Sequence, residues 1–158
     1  GELQRISRGI YTASNIVFDD MAILQARFKV AIYSHETALF LVGLSDRNPL
    51  FYSMTVKTGY NATSLKSNNV KVYFIKKELY DLGQIIMKTP FGNDIKAYNR
   101  ERTICDLVRN RNQIDINFVN EALKKYVLDK NKNLNQLYEY ANLLGIQKVI
   151  RESIEVLL

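Results

Sequence analysis

Apolar positions along the chain follow two regimes that change near residue 99. Up to Asn99, short alternating or continuous apolar runs mix with two helical stretches; beyond it the period is helical throughout. The opening "GELQRISRGIY" places Leu3, Ile6, Ile10 and Tyr11 among Arg5 and Arg8. That spacing predicts two short strands joined near Ser7, a ribbon that is marginal in water by itself. "DDMAILQARF" carries Met21, Leu24 and Phe28 at helical spacing, with Asp19 and Asp20 as candidate caps. In "YSHETALFLVGLSDRNP", Ser34 is the expected N-cap and Glu36 suits the first turn, while Gly43 is placed to end the helix. "FYSMTVK" and "VKVYFIK" read as strands. "GQIIMKT-PFGN-DIKAYN" reads as a hairpin about a Pro-Phe-Gly-Asn turn. Four helices follow. Asn99, Asp115 and Asn133 are expected to cap the first three, and the last runs through Ile146, Ile150 and Ile154. Together these elements predict an α+β chain: an N-terminal hairpin, a mixed sheet with packed helices, and a helical C-terminal half.

Composition narrows the function classes. The 158 residues suffice for one domain with a real core, and 47% hydrophobic with 24% charged residues is ordinary for a globular protein. No apolar run approaches membrane-spanning length, so no membrane partner is expected. The polar, basic start does not read as a secretion signal. One cysteine, Cys105, excludes an internal disulfide and fits a reducing cytoplasm. With only His35 beside it, no His/Cys metal cluster can form. A net charge of +6 favours acidic partners such as nucleic acid or an acidic protein.

Few residues carry candidate chemistry. Arg5 and Arg8 fit either an edge hairpin with solvated arginines or a wing whose arginines approach DNA phosphates. His35, one residue after a cap, has Glu36 as its only sequence-adjacent acid and no identifiable paired nucleophile, so a local hydrogen-bonding role is expected. In "NRERTICDLVR", Arg102–Asp106 and Asp106–Arg109 are at i,i+4 and i,i+3 spacing. They predict a salt-bridged helix docking the sheet; aiming Arg100 and Arg102 at phosphate is the alternative. Cys105, among apolar neighbours, reads as an inert buried thiol. Asp81 with Asp94-Ile95-Lys96 matches the acid…acid-x-lysine pattern of restriction-type nucleases, in which two carboxylates hold a metal. The pattern is short and common by chance. Lys124, Lys125, Lys130, Lys132, Lys148 and Arg151 lie opposite the apolar stripes of the last helices. With Arg109 and Arg111 they define a candidate basic surface for DNA or an acidic protein patch.

Several stretches, taken in order, resemble one family: "GELQRISRGIY", "YSHETALFLVGLSDRNP", "TVKTGYN", "KTPFGNDIKAYNRERTICDLVRNR" and "NKNLNQLYEYA…VIRESIEVLL". They are similar to the AbiEi antitoxins of type IV toxin–antitoxin, or abortive phage infection, systems. The likeness spans essentially the whole chain and is strongest at "SHETAL…GLSDR" and "ERTICDLVR". It implies a winged helix-turn-helix joined to a C-terminal antitoxin domain. Residues 1–12 would be the remnant of the wing, with Arg5 and Arg8 on it, and residues 13–158 the antitoxin domain. The helix-turn-helix expected before the wing has no counterpart in these residues, and a recognition helix is what reads base edges. Two jobs are implied: autorepression at operator DNA by the full-length protein, and neutralisation of a nucleotidyltransferase-like toxin. The expectation is a cytoplasmic, non-enzymatic phage-resistance regulator with no cofactor, metal or catalytic residue. Its candidate functional surface would include His35, Arg102, Arg109, Arg111, Lys124 and Lys125. The alternative is a nucleic-acid-processing enzyme using Asp81, Asp94 and Lys96.

Overall fold

The computed structural model describes the backbone of residues 4–7 and 10–12 and all of residues 18–158. The expected N-terminal ribbon is present: β1 (Gln4–Ser7) pairs antiparallel with β2 (Ile10–Thr12), and the register is irregular between Arg5 and Ser7. Arg8 and the side chain of Arg5 lie outside the described residues.

The body is an α+β fold built on a five-stranded mixed sheet. Its strands are β3 (Ile32–Tyr33), β4 (Tyr52–Lys57), β5 (Val70–Ile75), β6 (Gln84–Lys88) and β7 (Asp94–Tyr98), in the order β5-β4-β3-β7-β6. The hairpin β6–β7 is antiparallel, as is β3–β4, whereas β4–β5 and β3–β7 are parallel. The central β3 has only two residues, both fully buried, too few for alternation to reveal it in the sequence. Two short helices, α3 (Thr63–Ser67) and α4 (Lys77–Tyr80), likewise escape the periodicity because neither completes two turns.

The longer helices follow their expected signals. Asp19 caps α1 (Asp20–Arg27), Asn99 caps α5 (Arg100–Arg109), Asp115 caps α6 (Ile116–Leu128) and Asn133 caps α7 (Leu134–Leu143), each carboxylate or amide oxygen accepting a backbone N–H. A last helix, α8, spans Gln147–Glu155. The helix α2 (His35–Leu41) ends at Gly43, whose φ of +82° lets Leu44 N–H turn back to Leu39 O.

Two main apolar clusters result. One joins α1 and α3 to the sheet through Met21, Leu24, Phe28, Met54, Val56 and Leu65. The other joins α2 to the C-terminal helices through Leu39, Ile104, Leu107, Tyr126, Leu137 and Ile150. α5 lies deep in the second cluster, with every residue from Glu101 to Val108 buried. Because Glu101, Arg102 and Asp106 are among them, charges enter the interior and must find partners there.

Candidate functional site

Of the residues singled out in the sequence, Ser34 and His35 lie in a buried polar junction between the start of α2, the sheet and the end of α5. The start of α2 is unusual. Ser34 occupies the N-cap position, but its hydroxyl does not cap, contrary to expectation. Ser53 on β4 does that work instead: its Oγ accepts Thr37 N–H at 3.1 Å, and Thr37 Oγ1 accepts Ser53 N–H at 2.9 Å. Ser34 Oγ is thereby released. It accepts the Thr55 hydroxyl at 2.7 Å and lies 2.7 Å from His35 Nδ1. His35 itself has φ +51°, uncommon outside glycine.

The His35 ring is held on every side. Nε2 lies 2.8 Å from Asn110 Oδ1, and the ring stacks on Tyr73 with 3.5 Å between centroids. One proton arrangement satisfies the whole chain. Thr55 donates to Ser34, Ser34 donates to Nδ1, and Nε2–H donates to Asn110. It requires a neutral imidazole. Burial lowers the His35 pKa, and this outweighs the Asp106 and Glu36 charges that act to raise it. Tyr73 in turn donates to Glu36 at 3.3 Å, and Lys71 lies 3.5 Å from the same carboxylate while donating to Gln113 O.

This arrangement has the connectivity of a nucleophile, base and orienter, with Ser34, His35 and Asn110 in those places. Access decides against that role. Ser34, His35 and Thr55 are each 0% exposed, so no substrate carbonyl or phosphate can approach the serine oxygen. The expectation that His35 hydrogen-bonds locally agrees with this geometry. The expectation that His35 belongs to an exposed functional surface does not agree with it: the ring is fully buried, walled in by Tyr73, Ser34 and Asn110.

Arg102 requires the same correction. Its Nε lies 3.1 Å from both Asp106 oxygens, its Nη1 donates to Leu79 O and Leu82 O at 2.7 Å, and its guanidinium stacks on Tyr98. Both ion-pair side chains are 0% exposed. Arg109 Nη2 also donates to Asp106 Oδ1, at 3.3 Å, and is mostly buried. The expected salt-bridged helix is therefore present, but inside the protein. Arg100 is also committed, to Asp129 at 2.8 Å and Val42 O at 3.0 Å. Glu101 accepts Tyr126 O–H and Asn133 N–H. Burial pushes the Cys105 thiol up, away from thiolate, in agreement with an inert role.

The remaining candidates are dispersed. Arg111 is exposed on a short 3-10 turn (Arg111–Gln113) and donates to Val108 O. Lys124 is exposed on α6, while Lys125 sits between Asp46 at 3.6 Å and Glu121 at 3.7 Å, so part of the basic face is locally neutralised. The nuclease pattern is not assembled. In the β6–β7 register Gln84 faces Tyr98 and Lys88 faces Asp94, which puts Asp81 beyond one end of the hairpin and Asp94 at the other. Four residue steps along the strand separate those ends by ~13 Å, too far to share one metal. Asp94 instead pairs with Lys88 at 2.6 Å, and Lys96 donates to Lys29 O. Among the described residues, no group of three His, Cys, Asp or Glu side chains is placed to hold a metal ion.

Tyr73, Ser53, Thr55 and Asn110 complete the junction, yet nothing in the sequence marked them. They come from β5, β4 and the end of α5, and only the sheet order brings them to His35.

The fold class is therefore α+β, with a mixed sheet that carries a buried polar joint. No protein-family model matches this chain, and no curated protein matches it in sequence. Among solved structures it is similar to the one titled "Crystal structure of RV2827C protein from Mycobacterium tuberculosis", with a TM-score of 0.58 and 12% identity. The match covers 84% of this chain and 49% of that one, so this chain spans about half the length of that protein. At that identity the likeness is one of fold.

Proposed function

We propose that this chain is the antitoxin domain of a type IV toxin–antitoxin, abortive-infection system of AbiEi type. It neutralises a nucleotidyltransferase-like toxin in the cytoplasm and, within the full-length protein, takes part in repression at operator DNA. The observation that carries this reading is where the family-like stretches meet. His35 of "SHETAL" bonds Asn110, which directly follows "ERTICDLVR", and Arg100 just before that stretch donates to Val42 O, next to "GLSDR". Segments that resemble the family at positions far apart in sequence thus share one joint, as parts of a single inherited scaffold would. Ser34, His35, Thr55 and Asn110 of that joint are spent on one another, which supports action through surface recognition. The paired strands Gln4–Ser7 and Ile10–Thr12 and the net charge of +6 suit an approach to DNA. No helix among the described residues is long and apolar enough to cross a membrane.

The reading calls for a nucleotidyltransferase-like protein encoded beside this chain, and the test is co-expression with it. Growth arrested by that protein alone should be restored when this chain is present. Arrest that persists with the chain folded and abundant would overturn the proposal.

A further inference from the structure

We propose that the groove between the start of α1, the Asn48–Pro49 loop and the Pro90–Phe91 turn binds an arginine or lysine side chain presented on an apolar segment of a partner protein. The inference does not depend on the antitoxin reading. The groove encloses about 480 Å³, and four aromatic rings line it: Phe18, Phe40, Tyr52 and Phe91. Phe18 is 75% and Phe91 57% exposed, so two rings stand in water at the rim. Tyr52 is fixed from behind by an edge-on contact with Tyr33. Aromatic faces carry negative charge density and attract organic cations, arginine above all.

The acidic groups have the same preference. Asp19 and Asp20 both line the groove. Asp19 is buried, and its carboxylate is met by neutral donors: Ala22 N–H, Thr89 Oγ1 and Asn93 Nδ2. No cation among the described residues bonds either aspartate; the Asp19 charge is buried, where it is felt strongly, and the Asp20 carboxylate is exposed beside it. Both charges contribute to raising the Tyr52 pKa, after burial. The positive end of α1 is occupied by these same carboxylates, so an incoming phosphate meets negative charge. In a chain of net charge +6 the groove is a local inversion, and that is what selects a basic partner.

A polypeptide fits better than a free ammonium ion because the apolar surface continues past the cage. Across Asn48 and Pro49 lies a second pocket of about 170 Å³, lined by Leu50, Phe51 and Phe118 together with Glu36 and Arg47, the latter paired with Glu121. Leu50 is 95% exposed. A segment with a basic residue in the cage and an apolar residue over Leu50 would cover both pockets.

The experiment is selection of a random dodecapeptide display library on the whole chain. Enriched peptides are then synthesised and their binding measured by fluorescence anisotropy. Enriched peptides should carry arginine or lysine beside Leu, Phe or Trp. Replacing that arginine by citrulline, or the lysine by acetyl-lysine, should weaken binding about tenfold. Asp20→Asn and Phe91→Ala should each weaken it about fivefold, with circular-dichroism melting curves unchanged. The proposal is overturned if no peptide is enriched, if enriched peptides lack a basic residue, or if the neutral peptides or the two variants bind as the originals do. Competition by N-acetylarginine methylamide as strong as that by the peptide would also overturn it, in favour of a small-cation site.

Discussion

Neutralising Asp106 is the sharpest perturbation of the buried joint. Asp106→Asn keeps the shape and one acceptor but removes the countercharge of Arg102, whose side chain is fully buried. Breaking a buried pair from one side costs ~3–5 kcal/mol, because the remaining charge stays in the interior. Here the guanidinium keeps two carbonyls, Leu79 O and Leu82 O, and the Tyr98 ring, which places the cost near the lower end, about 3 kcal/mol. At ~2–4 °C per kcal/mol for a domain of this size, the melting temperature should fall by ~6–12 °C. Thermal melts at neutral pH, followed by circular dichroism, measure it. The double replacement Arg102→Met with Asp106→Leu should cost less than the sum of its single changes, by more than ~1 kcal/mol, because it no longer strands the fully buried Arg102 guanidinium and leaves only the partly exposed Arg109 without its carboxylate. An Asp106→Asn protein that melts within ~2 °C of the parent would refute the reasoning and mean that the pair is solvated.

Burial keeps the folded-state pKa of His35 below its ordinary value near 6.5, so the unfolded chain takes up that proton first. The stability this contributes is complete above about pH 6.5 and is lost as pH falls toward the folded-state value, with a slope of up to ~1.4 kcal/mol per pH unit. Denaturant titrations from neutral pH down to about pH 5 should show that slope in the parent and its loss in His35→Asn. Ser34→Ala should cost ~1–3 kcal/mol in urea unfolding, by stranding the Thr55 hydroxyl and His35 Nδ1 rather than by uncapping α2. Gly83→Ala should destabilise by more than ~1 kcal/mol, since φ is +79° there and an added Cβ would lie 2.7 Å from Arg102 Cβ. Charge reversal at Lys124 and Lys125 together should change stability by no more than ~1 kcal/mol, Lys125 losing only exposed contacts with Asp46 and Glu121.

What the sequence reveals follows from the range of each signal. Caps act within one turn, so Asp19, Asn99, Asp115 and Asn133 are readable from their own neighbourhoods. The β6–β7 hairpin is equally local. Ser34 misleads because its place was taken by Ser53, nineteen residues away on a strand that only folding brings close. The Arg102–Asp106 spacing announces a salt bridge but not its depth, since burial is set by helices packed from elsewhere in the chain. Asp81 and Asp94 match a pattern in one dimension that the hairpin separates in three. The aromatic groove was invisible for the same reason: Phe18, Phe40, Tyr52 and Phe91 belong to four different segments.

The central claim is that the polar residues of the family-like stretches build a joint and that function lies on the surface it supports. Toxin neutralisation by His35→Asn tests this most directly, because asparagine tolerates the positive φ at that position and removes the imidazole. Growth rescue should be measured by co-expression with the nucleotidyltransferase-like toxin that the proposed antitoxin role requires, at matched levels of folded protein. The account predicts rescue equal to that of the parent chain. Loss of rescue in a variant that remains folded would contradict it, and would make His35 a participant in the chemistry or recognition itself.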